Sequence, residues 1–191
     1  MYNNEINYKS GFTLIELLVT VAVIGIVMSI AIPSFTQTIR NSRLTTNINE
    51  LVTSFNIARS EAIKRGQPVT VRKTGTEWES GWSIFTDLDG DGVKEVGDID
   101  LRIYKARPNN YTLRSSGVNR VTYQASGMSG NSSFVLCDNS DGNNNPEANS
   151  SRLVLINTVG RVRMGADADN DGIPEKEDGT EITSCTVSPF T

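Results

Sequence analysis

The chain has 191 residues, a net charge of −4, two cysteines and no histidine. The lack of histidine removes the commonest general base and the commonest zinc ligand, and two cysteines are too few for a cysteine-rich metal site. A serine or cysteine nucleophile would lack its usual base, so we expect no enzymatic activity.

Residues 12–33 form an almost unbroken apolar segment that follows a short polar leader, residues 1–11. About 20 apolar residues are enough for a helix to cross a hydrocarbon core of about 30 Å. No small-residue cleavage site follows the segment, which is therefore not an ordinary secretory signal. Glu16 is its one carboxylate. Such a charge either reaches the lipid headgroups or needs a positive partner, because an unpaired buried charge is costly.

The start of the apolar segment carries a motif. Gly11, Phe12 and Glu16 stand at or just before the start of the apolar helix, and Pro33 stands at its end. This arrangement resembles the class III signal of type IV pilins and type II secretion pseudopilins. The resemblance implies that prepilin peptidase cuts between Gly11 and Phe12 and methylates the new amine. It also implies that Glu16 pairs with the N-terminal amine of a neighbouring subunit. The helix would then anchor the chain in the inner membrane before assembly and form filament core afterwards.

Residues 34–66 are predicted to be the amphipathic half of the same helix, resumed after a kink or break at Pro33. Apolar residues recur there mainly in steps of three and four positions, as on one face of a helix. They are Leu44, Ile48, Leu51, Val52, Phe55, Ala58 and Ala62. Gly66 and Pro68 predict the end of the helix.

Residues 67–163 have the pattern of a β-rich domain. Short segments rich in β-branched and aromatic residues are separated by Gly, Asn, Asp and Pro, which is typical of successive strands. They are residues 69–72, 82–86, 101–104, 121–123, 134–137 and 152–156, with a further candidate at 161–164. One long helix followed by such strands predicts an α+β fold with a mainly antiparallel sheet packed on the helix. Trp78 and Trp82 are interpreted as core or edge aromatic residues.

Five short motifs occur in order at residues 58–63, 81–87, 101–102, 135–138 and 157–163. Together they resemble the FimT/GspH family of minor pilins and pseudopilins, over a region from Gly11 to about Arg163. The resemblance implies a type IV pilin-like fold whose partners are other pilins or pseudopilins. It also implies that the β-rich domain lies in the periplasm or outside the cell.

A Gly-Arg-Val-Arg sequence ends the last of these motifs. On a strand, Arg161 and Arg163 would project from the same face and could bind successive phosphates without reading the bases. In FimT-like minor pilins this motif is associated with binding double-stranded DNA during natural transformation, a role the resemblance carries to Gly160, Arg161 and Arg163. The alternative is an ordinary solvated strand face.

The C-terminal tail, residues 164–191, contains seven acidic residues and one basic residue. Its negative field would weaken phosphate binding by the preceding arginines, most strongly at low salt. Cys137 and Cys185 belong to a chain with an export-type N-terminus, so they indicate one disulfide formed in an oxidising compartment. Two unpaired thiols are the alternative.

Two aspartate loops match the front of an EF-hand-type calcium loop, in which carboxylates at alternate positions face the ion and a glycine permits a sharp turn. The first contains Asp87, Asp89 and Asp91, and the second contains Asp167, Asp169 and Asp171 with Asp178 at position 12. An acidic turn between strands is the alternative for the first loop. The second loop is the favoured calcium site, because calcium would explain an ordered acidic tail.

The sequence as a whole predicts a minor type IV pilin that takes part in pilus assembly and contacts DNA. One alternative is a minor pseudopilin of a type II secretion system. A membrane-anchored, calcium-dependent adhesin is a second alternative, supported by the aspartate loops alone. No cofactor is expected other than calcium at these loops.

Overall fold

The computed structural model describes residues 11–186. It contains one long helix, α1 (Leu14–Arg65), a 3-10 helix (Trp78–Ser80) and strands in the region after the helix. The strands are β1 (Val69–Lys73), β2 (Trp82–Thr86), β3 (Asp100–Tyr104), β4 (Tyr111–Ser115), β5 (Arg120–Tyr123), β6 (Ser132–Asp138), β7 (Ser151–Ile156) and β8 (Val162–Met164). The chain divides into two compact units, Met1–Ile39 and Arg40–Thr191.

Helix α1 supplies the central apolar face of the second unit. Leu44, Ile48, Leu51, Phe55, Ala58 and Ala62 are all buried and Val52 is half-buried, which confirms the predicted amphipathic pattern. The break considered at Pro33 does not occur, since the backbone stays helical through it. The helix ends as predicted at Gly66, whose φ of 66° is left-handed. The N–H groups of Gly66 and Gln67 both donate to the Ala62 carbonyl, satisfying one of the last free helix carbonyls.

The strands form two four-stranded sheets rather than one. Their orders are β3-β2-β1-β5 and β4-β6-β7-β8, and every pairing is antiparallel. Strand β4 was not predicted, and it is one of the two edge strands of the second sheet. The expected α+β architecture is confirmed, with the sheet count corrected from one to two.

One core joins the helix to both sheets. Phe134 of β6 lies 4.9 Å from both Phe55 and Trp78, measured between ring centroids. Trp78 and Trp82 are both fully buried, as a core assignment predicts. Their indole N–H groups donate to the Val118 carbonyl and to the Ser54 hydroxyl, each at 2.9 Å. Both tryptophans therefore bury their rings without leaving a polar group unpaired.

The outer face of the second sheet is covered by the acidic C-terminal segment, which is the part of the tail that follows β8 up to residue 186. Val135 and Cys137 of β6 and Leu153 of β7 alternate with residues of the main core and form a second buried cluster with Ile182 and Cys185. Cys137 and Cys185 form the predicted disulfide. Isolated bridges pair Ala166 with Glu175 and Glu175 with Glu181. The acidic segment up to residue 186 is therefore packed onto the domain.

Candidate functional site

The predicted processing bond lies in a short exposed segment ahead of the helix. Gly11, Phe12 and Thr13 precede α1, and the Phe12 side chain is 87% exposed. A peptidase requires an extended, accessible substrate backbone, and this segment is not helical. Apart from Gly11, the predicted leader (residues 1–11) lies outside the described residues.

Glu16 closes a capping box at the start of α1. Its carboxylate accepts hydrogen bonds from the N–H and the hydroxyl of Thr13, both at 2.9 Å, and its own N–H donates to the Thr13 hydroxyl at 3.3 Å. This reciprocal pair satisfies two N–H groups that a helix start otherwise leaves free. The sequence interpretation missed this local role, although Thr13 and Glu16 stand at capping-box spacing.

The first unit carries an apolar surface that no other described residue covers. Every residue from 11 to 30 is exposed, although the segment is almost wholly apolar. Among the described residues, α1 is the one helix long and apolar enough to cross a membrane. A soluble protein rarely exposes so large a continuous apolar surface. This surface therefore needs lipid or protein around it.

A tight turn positions the Gly-Arg-Val-Arg sequence. Gly160 has a φ of 76°, and an added Cβ would lie 2.0 Å from the Gly127 carbonyl oxygen. Arg59 of α1 fastens the two turns that meet here, donating from Nε to the Gly127 carbonyl at 3.0 Å and from a terminal nitrogen to the Val159 carbonyl at 3.1 Å. Glycine is required at 160 because no side chain fits. Arg59 is a positioning residue that the sequence did not reveal.

The two arginines of the motif have different surroundings. Arg161 lies just before β8 rather than within it. Its carbonyl accepts from the Asn157 N–H at 3.2 Å, and its own N–H donates to the side-chain Oδ1 of Asn157 at 2.9 Å. Its side chain is exposed, and no residue in the described range 11–186 pairs with its guanidinium. Arg163 lies in β8 opposite Leu155, on the face covered by the C-terminal segment, and is paired with Glu177. A carboxylate of the acidic segment is thus bound to one of the two arginines that are predicted to contact DNA.

Other arginines of the β-rich domain are engaged in contacts of their own. Arg114 is paired with Glu79, and the side chain of Arg120 packs against Gly92. Arg152 is half-buried and donates to the carbonyl of Ser151, and burial lowers the pKa of its guanidinium. The exposed cationic groups at the motif are therefore Arg161 and, in competition with Glu177, Arg163.

The two aspartate loops have the same backbone hydrogen bonds, as their repeated sequence predicts. Gly92 N–H donates to Asp87 Oδ2 and Gly172 N–H to Asp167 Oδ2, both at 3.0 Å. The N–H groups of Asp91 and Asp171 each donate, at 3.2 Å, to the aspartate two positions earlier. Both glycines are left-handed, with φ of 74° and 90°. Each loop brings three carboxylate oxygens within 4.8 Å of one another.

The loops differ in the burial of their first aspartate. Asp87 is fully buried and Asp89 and Asp91 are exposed, whereas Asp167, Asp169 and Asp171 are all exposed. Asp178, predicted to complete the second loop, does not belong to the group of three close carboxylates. It accepts two hydrogen bonds from Thr180 instead, and these lower the pKa of the Asp178 carboxyl. Glu181 lies near the second loop, where the charges of Asp171 and Asp169 raise its pKa.

Two protein-family models match the chain. The model described as type II transport protein GspH matches residues 47–160, which is more than half of the chain. The model of the prokaryotic N-terminal methylation motif matches residues 6–32. The second match contains Gly11, Phe12 and Glu16, and the first extends from the amphipathic half of α1 to the Gly160 turn.

Curated relatives and a solved structure agree with these matches. A fimbrial protein of Pseudomonas aeruginosa is 34% identical over 94 residues, which are 48% of this chain and 60% of the relative. Fimbrial protein Q of Moraxella bovis is 32% identical over 80 residues, 42% of this chain and 50% of the relative. The chain thus spans at most 60% of the length of these relatives. The crystal structure of the Pseudomonas aeruginosa type IV minor pilin FimU aligns with a TM-score of 0.55 at 22% identity, over 75% of this chain and 96% of that one, and so shares the fold.

Proposed function

The chain belongs to the GspH family of type IV pilins and pseudopilins, and within that family we propose that it is a minor subunit of a type IV pilus. The subunit is made as a prepilin, processed between Gly11 and Phe12, and held in the inner membrane by the apolar half of α1 until it enters the filament. Its β-rich domain then faces the periplasm or the exterior. The match to the N-terminal methylation motif supports the processing step.

One observation carries this proposal. Every residue of α1 from Leu14 to Ile30 is exposed, while the domain that follows has its own closed core. Such a helix is stable only in a second environment, first lipid and then the helices of neighbouring subunits. Glu16 lies in this environment, where its charge needs a partner. The N-terminal amine of the adjacent subunit supplies one, in keeping with the N-terminal motif.

The second part of the proposal is that the subunit contacts double-stranded DNA during uptake. Arg161 offers an exposed guanidinium that no residue from 11 to 186 pairs with. Arg163 offers a second guanidinium, held by Glu177 in an exposed ion pair. Arginine binds phosphate through parallel N–H donors, so the contact reads no base sequence. We expect weak, salt-sensitive binding, because two phosphate contacts are few and the acidic segment lies beside them.

A pseudopilin of a type II secretion system is the second candidate, favoured by the description of the family model that matches. The fimbrial names of the curated relatives favour the pilus. Deleting the gene that encodes the chain from its own bacterium distinguishes the pilin from the pseudopilin. A pilin predicts fewer surface pili and less DNA uptake with protein secretion intact. Loss of secretion with normal pili would instead identify a pseudopilin.

A further inference from the structure

We propose that the first aspartate loop, through Asp87, Asp89 and Asp91, binds one calcium ion, and that the second loop is a turn of the same shape without this function. The inference does not depend on the filament or DNA proposals. It reverses the preference drawn from sequence, which favoured the second loop.

Within the described part of the chain, the buried carboxylate of Asp87 has one oxygen with partners and one without. Its Oδ2 accepts hydrogen bonds from the Thr70 hydroxyl at 2.5 Å and from the Gly92 N–H at 3.0 Å. Its Oδ1 is buried as well, and no donor within residues 11–186 reaches it. A buried carboxylate oxygen without a partner is costly, because it loses its hydration and gains nothing in return. A cation is a partner that supplies this missing interaction.

The loop presents the other ligands that a calcium ion requires. One oxygen each from Asp87, Asp89 and Asp91 lies within 4.8 Å of the other two. Oxygens that share a calcium ion at 2.3–2.6 Å are separated by at most about 5 Å. Gly92, at position 6, makes the left-handed turn that this class of loop needs. Three carboxylates without nitrogen or sulfur ligands favour a hard cation. Aspartates at alternate positions with a glycine at position 6 are the pattern of calcium loops rather than of magnesium sites.

The second loop lacks the feature that carries this argument. Its aspartates are exposed to solvent, so water can satisfy their oxygens without a cation. The order of the acidic segment also has another cause, since Ile182 is buried and Cys185 is bonded to Cys137. The reason for placing calcium there from sequence is thereby removed.

Two positive groups beside the first loop limit its affinity. Arg72 donates to the Gly92 carbonyl, and the side chain of Arg120 packs against Gly92. Both guanidiniums repel a bound cation. Asp98, at position 12, is also occupied, because its oxygens accept from the N–H groups of Leu88 and Glu95. We therefore expect a dissociation constant in the range of extracellular calcium modules, about 10⁻⁴–10⁻³ M.

The test is a calorimetric titration of the detergent-solubilised full chain with calcium, after metal removal with EGTA. The first-loop variant is Asp89→Asn with Asp91→Asn, and the matched control is Asp169→Asn with Asp171→Asn. Each pair changes the same charge at the same loop positions, and asparagine keeps the oxygen that accepts the loop's backbone hydrogen bonds. We expect one ion per wild-type chain, unchanged binding in the control, and at least about tenfold weaker binding in the first-loop variant.

Thermal unfolding provides a second measurement. Calcium should raise the Tm of the wild type and the control but not of the first-loop variant, because a ligand stabilises only the state it binds. Circular dichroism in EGTA checks that each variant folds, and Asp89→Asn alone replaces the pair if it does not. The proposal is overturned by the absence of saturable binding up to about ten times the highest expected dissociation constant. Equal binding by wild type and first-loop variant, or two ions per chain, also overturns it.

Discussion

Arg163 of β8 is paired with Glu177, a residue of the acidic segment that follows it in the chain. Both side chains are substantially exposed, at 47% and 66%. An exposed pair of this kind contributes at most about 1 kcal/mol, because water and salt screen both charges. The pairing therefore restrains Arg163 without preventing a phosphate from replacing the carboxylate. It makes the acidic segment a competitor for the proposed DNA contact.

Removing this competitor should strengthen DNA binding. We expect Glu177→Gln to raise the affinity for double-stranded DNA about two- to fivefold at low salt, the equivalent of a weak surface ion pair. The matched control is Asp178→Asn, which removes the same charge at the next residue, where the carboxylate is bonded to Thr180 and not to an arginine. Fluorescence anisotropy measures both variants. Equal gains in the two would mean that only net charge matters.

Removing the arginines should change the salt dependence as well as the affinity. We expect Arg161→Ala with Arg163→Ala to weaken binding and to lower the slope of log affinity against log salt by about one for each phosphate that the variant no longer binds. Lys94→Ala is the control, because Lys94 is another exposed cation held in an ion pair, with Asp100. Titrations at three or more salt concentrations give the slopes. An unchanged slope in the double variant contradicts the phosphate contacts.

The disulfide should contribute strongly to the stability of the domain. Cys137 and Cys185 are 48 positions apart and both are buried. Closing a loop of this size stabilises the folded state by about 4 kcal/mol in the chain-entropy description. We expect a reductant to lower the free energy of unfolding by roughly that amount, measured by urea denaturation of the detergent-solubilised chain.

A Cys137→Ala, Cys185→Ala variant is the control for this measurement. Its stability should be close to that of the reduced wild type and should not respond to reductant. An unfolding midpoint of the oxidised wild type that reductant leaves unchanged would show that the bond adds no stability.

Much of the fold follows from local patterns. The spacing of Leu44, Ile48, Leu51 and Phe55 predicts the buried face of α1, and the observed burial matches it. Strand β4 was missed because three of its five residues, Thr112, Arg114 and Ser115, are polar, and the turn residues before it obscured its start. Its pairing with β6 depends on contacts between residues far apart in the sequence, such as Leu113 with Leu136. The division into two sheets rests on such long-range contacts, which periodicity does not report.

In the candidate sites, too, the sequence predicted the locally determined features but not the long-range contacts. The repeated aspartate pattern predicted two loops of one shape, because glycine and alternating aspartates determine the turn locally. The burial of Asp87 comes from its contact with Thr70 of β1, which sequence spacing does not reveal. Likewise Arg59 reaches turns 68 and 100 residues away, and Arg163 finds Glu177 only after the C-terminal segment folds back.

Substitutions at Glu16 and Thr13 test whether the chain is a filament subunit or a membrane protein in which Glu16 only caps the helix. Glu16→Gln keeps the capping box, since glutamine serves at that position, but removes the charge. Thr13→Ala does the reverse, because it removes the hydroxyl bonds to Glu16 and keeps the carboxylate. Comparing the two variants separates the local role of Glu16 from its pairing with another subunit.

The decisive measurement is the amount of each variant in sheared pili, relative to the amount processed at Phe12 in the membrane. A filament subunit predicts that Glu16→Gln is processed but absent from the pili, whereas Thr13→Ala is present near the wild-type amount. Incorporation of Glu16→Gln at the wild-type level, or absence of the wild-type chain itself from the pili, would contradict the proposed function.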